Sequence, residues 1–183
     1  MHYAEADGYG GLFNNSGSLA AGNGGLITIT SNAGNLEILS ASANGGYASS
    51  IGAGAGGKIL LKATGTAEGK GNITSESLNA NGGMYYLWEE AGPAGDGGLV
   101  RVTASRDIRI GTAEGYPGGV TANGGYNASL GGGAGGAGGT VSLVSTGGNI
   151  TLPNKGSYID ALGGWGDQGG AGGTVVIRRP RAA

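Results

Sequence analysis

One nine-residue pattern occurs five times in this chain of 183 residues and limits what the chain can fold into. Each copy begins with a glycine pair and continues with alternating aliphatic and mixed positions. The copies are GGLITITSN from Gly24, GGKILLKAT from Gly56, GGLVRVTAS from Gly97, GGTVSLVST from Gly138 and GGTVVIRRP from Gly172. A period of two residues predicts a half-buried β-strand, and self-similarity every few tens of residues predicts a solenoid.

Two aligned columns are wholly aliphatic, and we expect them on the inside of the solenoid. They are Ile27, Ile59, Val100, Val141 and Val175, followed by Ile29, Leu61, Val102, Leu143 and Ile177. The columns between them are mixed, which is typical of an outward face. We expect the apolar outward residues to contact a neighbouring copy or the glycine-rich segments; they are Leu26, Leu60, Leu99, Val144 and Val176.

Two further recurring segments follow each of the first four copies, so the coil has three strands. The second strands open at Asn35, Asn72, Asp107 and Asn149, and the third strands end at Ala43, Ala80, Ala122 and Ala161. We expect the Asn and Asp residues to stack as a side-chain ladder that satisfies backbone groups of the turns. A metal site would need several carboxylates, and this column offers only Asp107.

These features predict an all-β fold, a right-handed parallel β-helix of about four to five coils with three short parallel sheets. The chain is expected to form a single domain, with residues 1–23 as an incomplete first coil or cap, 24–177 as coils and 178–183 as a basic tail. Glycine-rich segments return the chain to each new coil. They could pack as turns or as polyproline-II-like segments, and their recurrence in every coil argues against a disordered linker.

Composition excludes several classes of function. The chain has no cysteine, so disulfides and thiolate metal sites are excluded, and its net charge of −2 argues against a nucleic-acid partner. We expect no cofactor and no membrane span, because no stretch approaches the ~20 apolar residues of a membrane helix. The N-terminus has no apolar segment that could serve as a signal peptide. Either the chain is cytosolic or, as we favour, the sequence is a mature form or an excerpt.

A large side chain follows the recurring ANGG motif or its variant ALGG in each coil. These side chains are Tyr47, Met84 with Tyr85, Tyr126 and Trp165. Such a row suits sugar rings, although stacked aromatic side chains are also ordinary β-helix packing. Tyr86, Trp88, Glu89 and Glu90 lie in the least regular insertion, where they could form a binding feature or a capping flap. The predicted ligand-binding residues are therefore Tyr47, Tyr85, Tyr86, Trp88, Tyr126 and Trp165.

Catalysis has little support, and we predict that the protein is not an enzyme. His2 is the only histidine, so a nucleophile activated by histidine is not expected. Carboxylate pairs such as Glu89 with Asp96, or Glu68 with Glu114, could serve a polysaccharide-degrading β-helix enzyme. No sequence spacing fixes either pair within the ~5 to 10 Å that such chemistry needs.

The segments GGTVSLVSTGGNITL and YIDALGGWGDQGGAGGTVVI resemble the glycine-rich stretches of large bacterial exoproteins of the filamentous-haemagglutinin type. The resemblance implies a right-handed β-helix in a secreted adhesin or matrix component, hence an extracellular or cell-surface location. It brings no catalytic residues. Two functions are expected: a structural unit that self-associates into a fibre or surface layer through its strand ends, or an adhesin module that binds a glycan or cell surface.

Overall fold

Stacked parallel strands form the fold. The computed structural model describes residues 3–5, 7, 13–14, 17–18, 20–48, 52–86, 92–111, 117–128 and 132–180. The strands in chain order are β1 (Tyr3–Glu5), β2 (Phe13–Asn14), β3 (Gly17–Ser18), β4 (Leu26–Ser31), β5 (Leu36–Ser42), β6 (Lys58–Ala63), β7 (Ile73–Asn79), β8 (Leu99–Ala104), β9 (Ile108–Ile110), β10 (Gly119–Thr121), β11 (Thr140–Ser145), β12 (Ile150–Thr151), β13 (Tyr158–Asp160) and β14 (Thr174–Arg178). The described residues contain no helix, so the predicted all-β solenoid class is confirmed.

The first sheet contains the five repeated strands, in the order β14-β11-β8-β6-β4. Every pairing in it is parallel, and the register places Ile27 beside Ile59, Val100, Val141 and Val175 in one column. Burial alternates along β6, β8 and β11, with the aliphatic columns inside. The predicted strands and inward columns are therefore confirmed.

The second sheet contains both the second and the third strands of each coil, so the prediction of three separate sheets is wrong. β5 and β7 each run for seven residues without interruption and pair in parallel. In the next coil the equivalent segment is divided into two strands, β9 and β10, both of which pair with β7. β9 and β10 both keep a parallel register with β7, so the stack is not disturbed by the break between them.

Glycine-rich segments close the third side of each coil through backbone hydrogen bonds. Ala53 and Gly56 donate to residues of the next coil at 3.0 and 2.8 Å, whereas Gly54 and Gly57 donate across the coil at 3.0 and 2.6 Å. Each kind of bond recurs after three residues, which is the period of polyproline II and not that of a β-strand. A Cβ on Gly54 would overlap the carbonyl oxygen of Gly22, so the backbones approach too closely for any side chain.

The core lies between the two parallel sheets. It is built of stacked aliphatic side chains and of small alanines such as Ala43, Ala80 and Ala122, which directly follow β5, β7 and β10 and are fully buried. A smaller cluster of Ala48, Tyr85 and Ala94 lies toward the glycine-rich side.

The solenoid has about three turns, slightly fewer than the four to five coils expected. The count is lower because the ends are partial coils. Among the described residues, only β1 pairs with β5 at one end, and only β14 extends the first sheet at the other. β14 ends at Arg178, the residue at which we expected the basic tail to begin. Its inward residues Val175 and Ile177 are 43% and 54% exposed.

Candidate functional site

The aromatic row forms because the residue after each glycine pair points outward. Isolated parallel bridges join Ala48 to Tyr85 and Tyr85 to Asn127, which fixes the register of neighbouring coils. Ala48, Tyr85 and Asn127 are buried, and successive residues of an extended chain point to opposite sides. The residues before them are therefore on the outside: Tyr47 and Tyr126 are 63% and 39% exposed. Trp165, one coil further, is 78% exposed.

Tyr85 does not belong to this row. It is fully buried against Ala48 and Ala94, and its ring lies so close to Gly92 that a Cβ there would overlap it. Met84 takes the outward position beside Tyr47 and Tyr126. The assignment of Tyr85 as a ligand-binding residue is thus at odds with the structure, because a shift of one residue in register moves a side chain to the opposite face.

Tyr86 extends the exposed aromatic surface. It is 57% exposed, and its ring meets that of Tyr126 edge to face, with centroids 6.4 Å apart and planes at 67°. Edge-to-face pairs are a favourable arrangement of aromatic rings. Trp88, Glu89 and Glu90, which complete the predicted binding loop, lie outside the described residues.

A groove of about 420 Å³ runs beside the aromatic row. Tyr47, Met84 and Tyr126 line it, together with Asp7, a ladder of asparagines and the glycines between these two rows. In the ladder, the side-chain oxygen of Asn44 accepts from the backbone nitrogen of Asn81 at 2.8 Å, and Asn81 accepts from Asn123 in the same way at 2.8 Å. Asn123 accepts from Leu162 at 2.7 Å, which ends the series.

The amide nitrogens of this ladder supply hydrogen-bond donors to the groove. The nitrogen of Asn44 donates to Ser42 Oγ at 2.7 Å. Within the part of the chain that the structure describes, the side-chain nitrogens of Asn81 and Asn123 have no such partner. Aromatic faces opposite amide donors can bind a ring that carries hydroxyl groups. Sequence reasoning missed this ladder, although the recurring Asn of the three ANGG motifs is its signal.

The predicted ladder at the start of the second strands is present. Asn35 Oδ1 accepts from the backbone nitrogen of Asn72 at 3.0 Å, Asn72 Oδ1 from that of Asp107 at 3.1 Å, and Asp107 Oδ1 from that of Asn149 at 2.6 Å. A second groove of about 410 Å³ follows this column. The side-chain nitrogens of Asn35 and Asn72 both donate to the carbonyl oxygen of Gly69 at 3.0 Å, so this column of side chains is structural.

The predicted self-association residues lie on the outward side of the first sheet. Leu26 is 62% exposed, whereas Leu60, Leu99, Val144 and Val176 are only partly exposed. Their outward orientation agrees with the register of the sheet, and a contact through them stays a prediction.

Few titratable groups converge anywhere in the described residues, where no group of three His, Asp or Glu side chains could hold a metal ion. Asp96 accepts a hydrogen bond from the backbone nitrogen of Ala137 at 2.7 Å, so this carboxylate has a structural role. Its suggested partner Glu89, together with Glu114 and His2, lies outside the described residues.

Among the residues described, no helix is long and apolar enough to cross a membrane.

Neither a protein family, nor a curated protein, nor a solved structure matches this chain. The class of protein is therefore defined by the fold alone, as a β-solenoid repeat protein.

Proposed function

We propose that the chain is a structural repeat unit of an extracellular fibre or surface layer, in which copies associate end to end through their terminal coils. The observation that supports this is the exposure of inward residues in β14. Val175 and Ile177 are 43% and 54% exposed, whereas Val141 and Leu143 in the preceding coil are fully buried. Covering a large aliphatic side chain contributes roughly 1.5 to 3 kcal/mol.

The backbone of β14 also supports stacking. β14 is the last strand of the first sheet, so one side of it has no strand partner within the described residues. Edge strands of this kind readily pair with another chain. All strands of this sheet pair in the same parallel register, so a coil of a second copy can continue the ladder. The extracellular location rests on the resemblance to secreted exoproteins, and the proposal includes no catalytic step.

Sedimentation velocity and electron microscopy over a concentration series test the assembly. We expect the wild-type chain to form rods that lengthen with concentration, and Ile177→Lys to remain monomeric because it puts a charge into the inward column. Val176→Lys is the matched control, since residue 176 points outward on the same strand. A strictly monomeric wild type would contradict the proposal. Loss of assembly in the control alone would instead assign the contact to the outward face.

A second candidate function is glycan binding, which the groove beside the aromatic row favours. Tyr47 and Tyr126 offer exposed ring surface, and Asn81 and Asn123 offer amide donors across a groove of about 420 Å³. Aromatic faces together with a few placed polar groups are the usual components of a sugar site.

A glycan array with matched variants tests this function. The triple variant Tyr47→Ala/Tyr126→Ala/Trp165→Ala should lose the signal of the wild type. Tyr158→Ala serves as the control, because Tyr158 is 48% exposed on β13 and does not line the groove. Equal signals from wild type and triple variant, or none from the wild type, would remove this candidate.

A further inference from the structure

The outward face of the first sheet has an unusual composition for a protein with more acidic than basic residues. We call it the cationic face: the fifteen residues at positions 26, 28, 30, 58, 60, 62, 99, 101, 103, 140, 142, 144, 174, 176 and 178. Four of the fifteen are Lys or Arg, six are Thr or Ser, five are aliphatic and none is acidic. The negative charge of the chain therefore lies elsewhere.

Three of the cations form a cluster. Lys58 and Lys62 lie four residues apart on β6, and Leu60 between them pairs with Arg101 on β8. Neighbouring strands are ~4.8 Å apart and residues along a strand ~3.3 Å apart, so the Cα of Arg101 lies ~8 Å from that of each lysine. All three residues are exposed. Arg178, on β14, lies in the column of Lys62 and is exposed as well.

Nothing in the described structure neutralises this cluster. No ion pair joins Lys58, Lys62 or Arg101 to a carboxylate within the residues described. Exposed like charges ~8 Å apart repel each other weakly, and an acidic residue at position 99 or 103, directly opposite a lysine, would have relieved the repulsion. The positions actually hold Leu99 and Thr103. An anionic partner that binds across the strands would relieve the repulsion instead.

We propose that the cationic face binds a linear acidic polysaccharide. Its carboxylates pair with Lys58, Lys62 and Arg101, and the guanidinium of Arg101 can bind a carboxylate through two parallel hydrogen bonds. The Thr and Ser side chains between the cations can donate to, and accept from, sugar hydroxyls. The sheet stacks five parallel strands, so an extended polysaccharide can lie across several coils.

The composition of the face favours this partner over two others. Binding of single-stranded nucleic acid relies on aromatic side chains on which bases stack, and the cationic face has none. Insertion into a lipid surface needs several protruding apolar side chains, yet only Leu26, on the edge strand β4, is exposed, and the other four aliphatic residues of the face are partly buried.

Binding of polygalacturonate, measured by isothermal titration calorimetry at low salt, tests the proposal. Fully methyl-esterified polygalacturonate is the matched ligand, because it keeps the sugar chain and removes the negative charge. We expect Lys58→Gln/Lys62→Gln/Arg101→Gln to weaken binding by about tenfold or more. The control Lys70→Gln/Arg106→Gln/Lys155→Gln removes the same charge from exposed turn residues, and we expect a change of less than about threefold. Circular dichroism verifies that both variants are folded.

Three results together would support the proposal: esterification of the ligand abolishes binding, Lys58→Gln/Lys62→Gln/Arg101→Gln loses it, and rising salt weakens it. No binding of polygalacturonate would overturn it, as would equal binding of the esterified ligand or an equal loss in the control variant. Tighter binding of a single-stranded oligonucleotide, or of vesicles that contain phosphatidylserine, would also overturn it and would assign the face to that other partner.

Discussion

Ser75 is a polar residue in an otherwise aliphatic part of the core. It lies on β7 between Ile38 and Ile110 of the neighbouring strands and is 1% exposed. Its hydroxyl is buried without a hydrogen-bond partner in the described structure. An unsatisfied buried hydroxyl costs roughly 1 to 3 kcal/mol, so this residue lowers the stability of the coil that it belongs to.

We predict that Ser75→Ala raises the free energy of unfolding by about 1 kcal/mol, because it removes the unsatisfied hydroxyl. Ser77→Ala on the same strand is the control. Ser77 Oγ accepts a hydrogen bond from Asn79 Nδ2 at 2.8 Å, so its loss should lower stability by about 0.5 to 1.5 kcal/mol. Urea unfolding followed by circular dichroism measures both. Destabilisation by Ser75→Ala would show that the hydroxyl has a partner in solution.

Single residues were predictable where a pattern repeated and not where it occurred once. The inward columns, such as Ile59 with Val100, follow from a period of two in aligned copies, and the register confirms them. Tyr85 could not be placed from the sequence, because Met84 and Tyr85 both follow the glycine pair. Only the bridge between Ala48 and Tyr85 determines which of the two is inside.

Side-chain ladders stabilise the turns at the scale of the coil. The ladder from Asn35 was predicted because Asn or Asp opens every second strand, whereas the one from Asn44 was missed. There the series ends at Leu162, which contributes only its backbone nitrogen. The merging of second and third strands into one sheet was also missed, since β5 and β7 continue through residues 39 and 76 and keep one register on both sides of them.

We predict that Asn81→Ala lowers the free energy of unfolding by about 0.5 to 1.5 kcal/mol, because the backbone nitrogen of Asn123 loses its acceptor. Asn81→Asp keeps the acceptor oxygen and should retain most of the stability, as Asp107 does in the other ladder. Asn32→Ala at an exposed turn position should change stability by less than about 0.5 kcal/mol. Urea midpoints compare the three variants. Equal effects of the Ala and Asp substitutions at position 81 would contradict a role for its side-chain oxygen.

For the whole molecule, close packing of backbones explains why glycine makes up 46 of the 183 residues. The glycine-rich segments of successive coils bond to one another directly, as Gly83 does to Gly54 at 2.8 Å and Gly125 to Gly95 at 2.7 Å. Side chains would separate the coils and break these bonds. The composition predicted the position of these segments, but their three-residue hydrogen-bond pattern depends on contacts between coils that no single segment encodes.

Gly138 and Gly172 occupy the same position in successive coils. Alanine variants at the two positions can therefore distinguish an effect on folding from an effect on assembly. A Cβ on Gly138 would lie 2.6 Å from the backbone nitrogen of Gly173 and closer still to the carbonyl oxygen of Ala161, whereas one on Gly172 meets nothing within 4 Å. We predict that Gly138→Ala destabilises the fold by on the order of 3 kcal/mol, and that Gly172→Ala does not destabilise it.

End-to-end association would give Gly172 the surroundings that Gly138 has within the chain. Gly172→Ala should therefore keep the melting temperature of the wild-type monomer and lose the concentration-dependent rods. Thermal melts followed by circular dichroism and sedimentation velocity on the same samples measure the two effects. If Gly172→Ala assembles as the wild type does, then copies do not stack in the register of the coils. If Gly138→Ala and Gly172→Ala lose stability equally, then contact between coils is not the reason for glycine at this position.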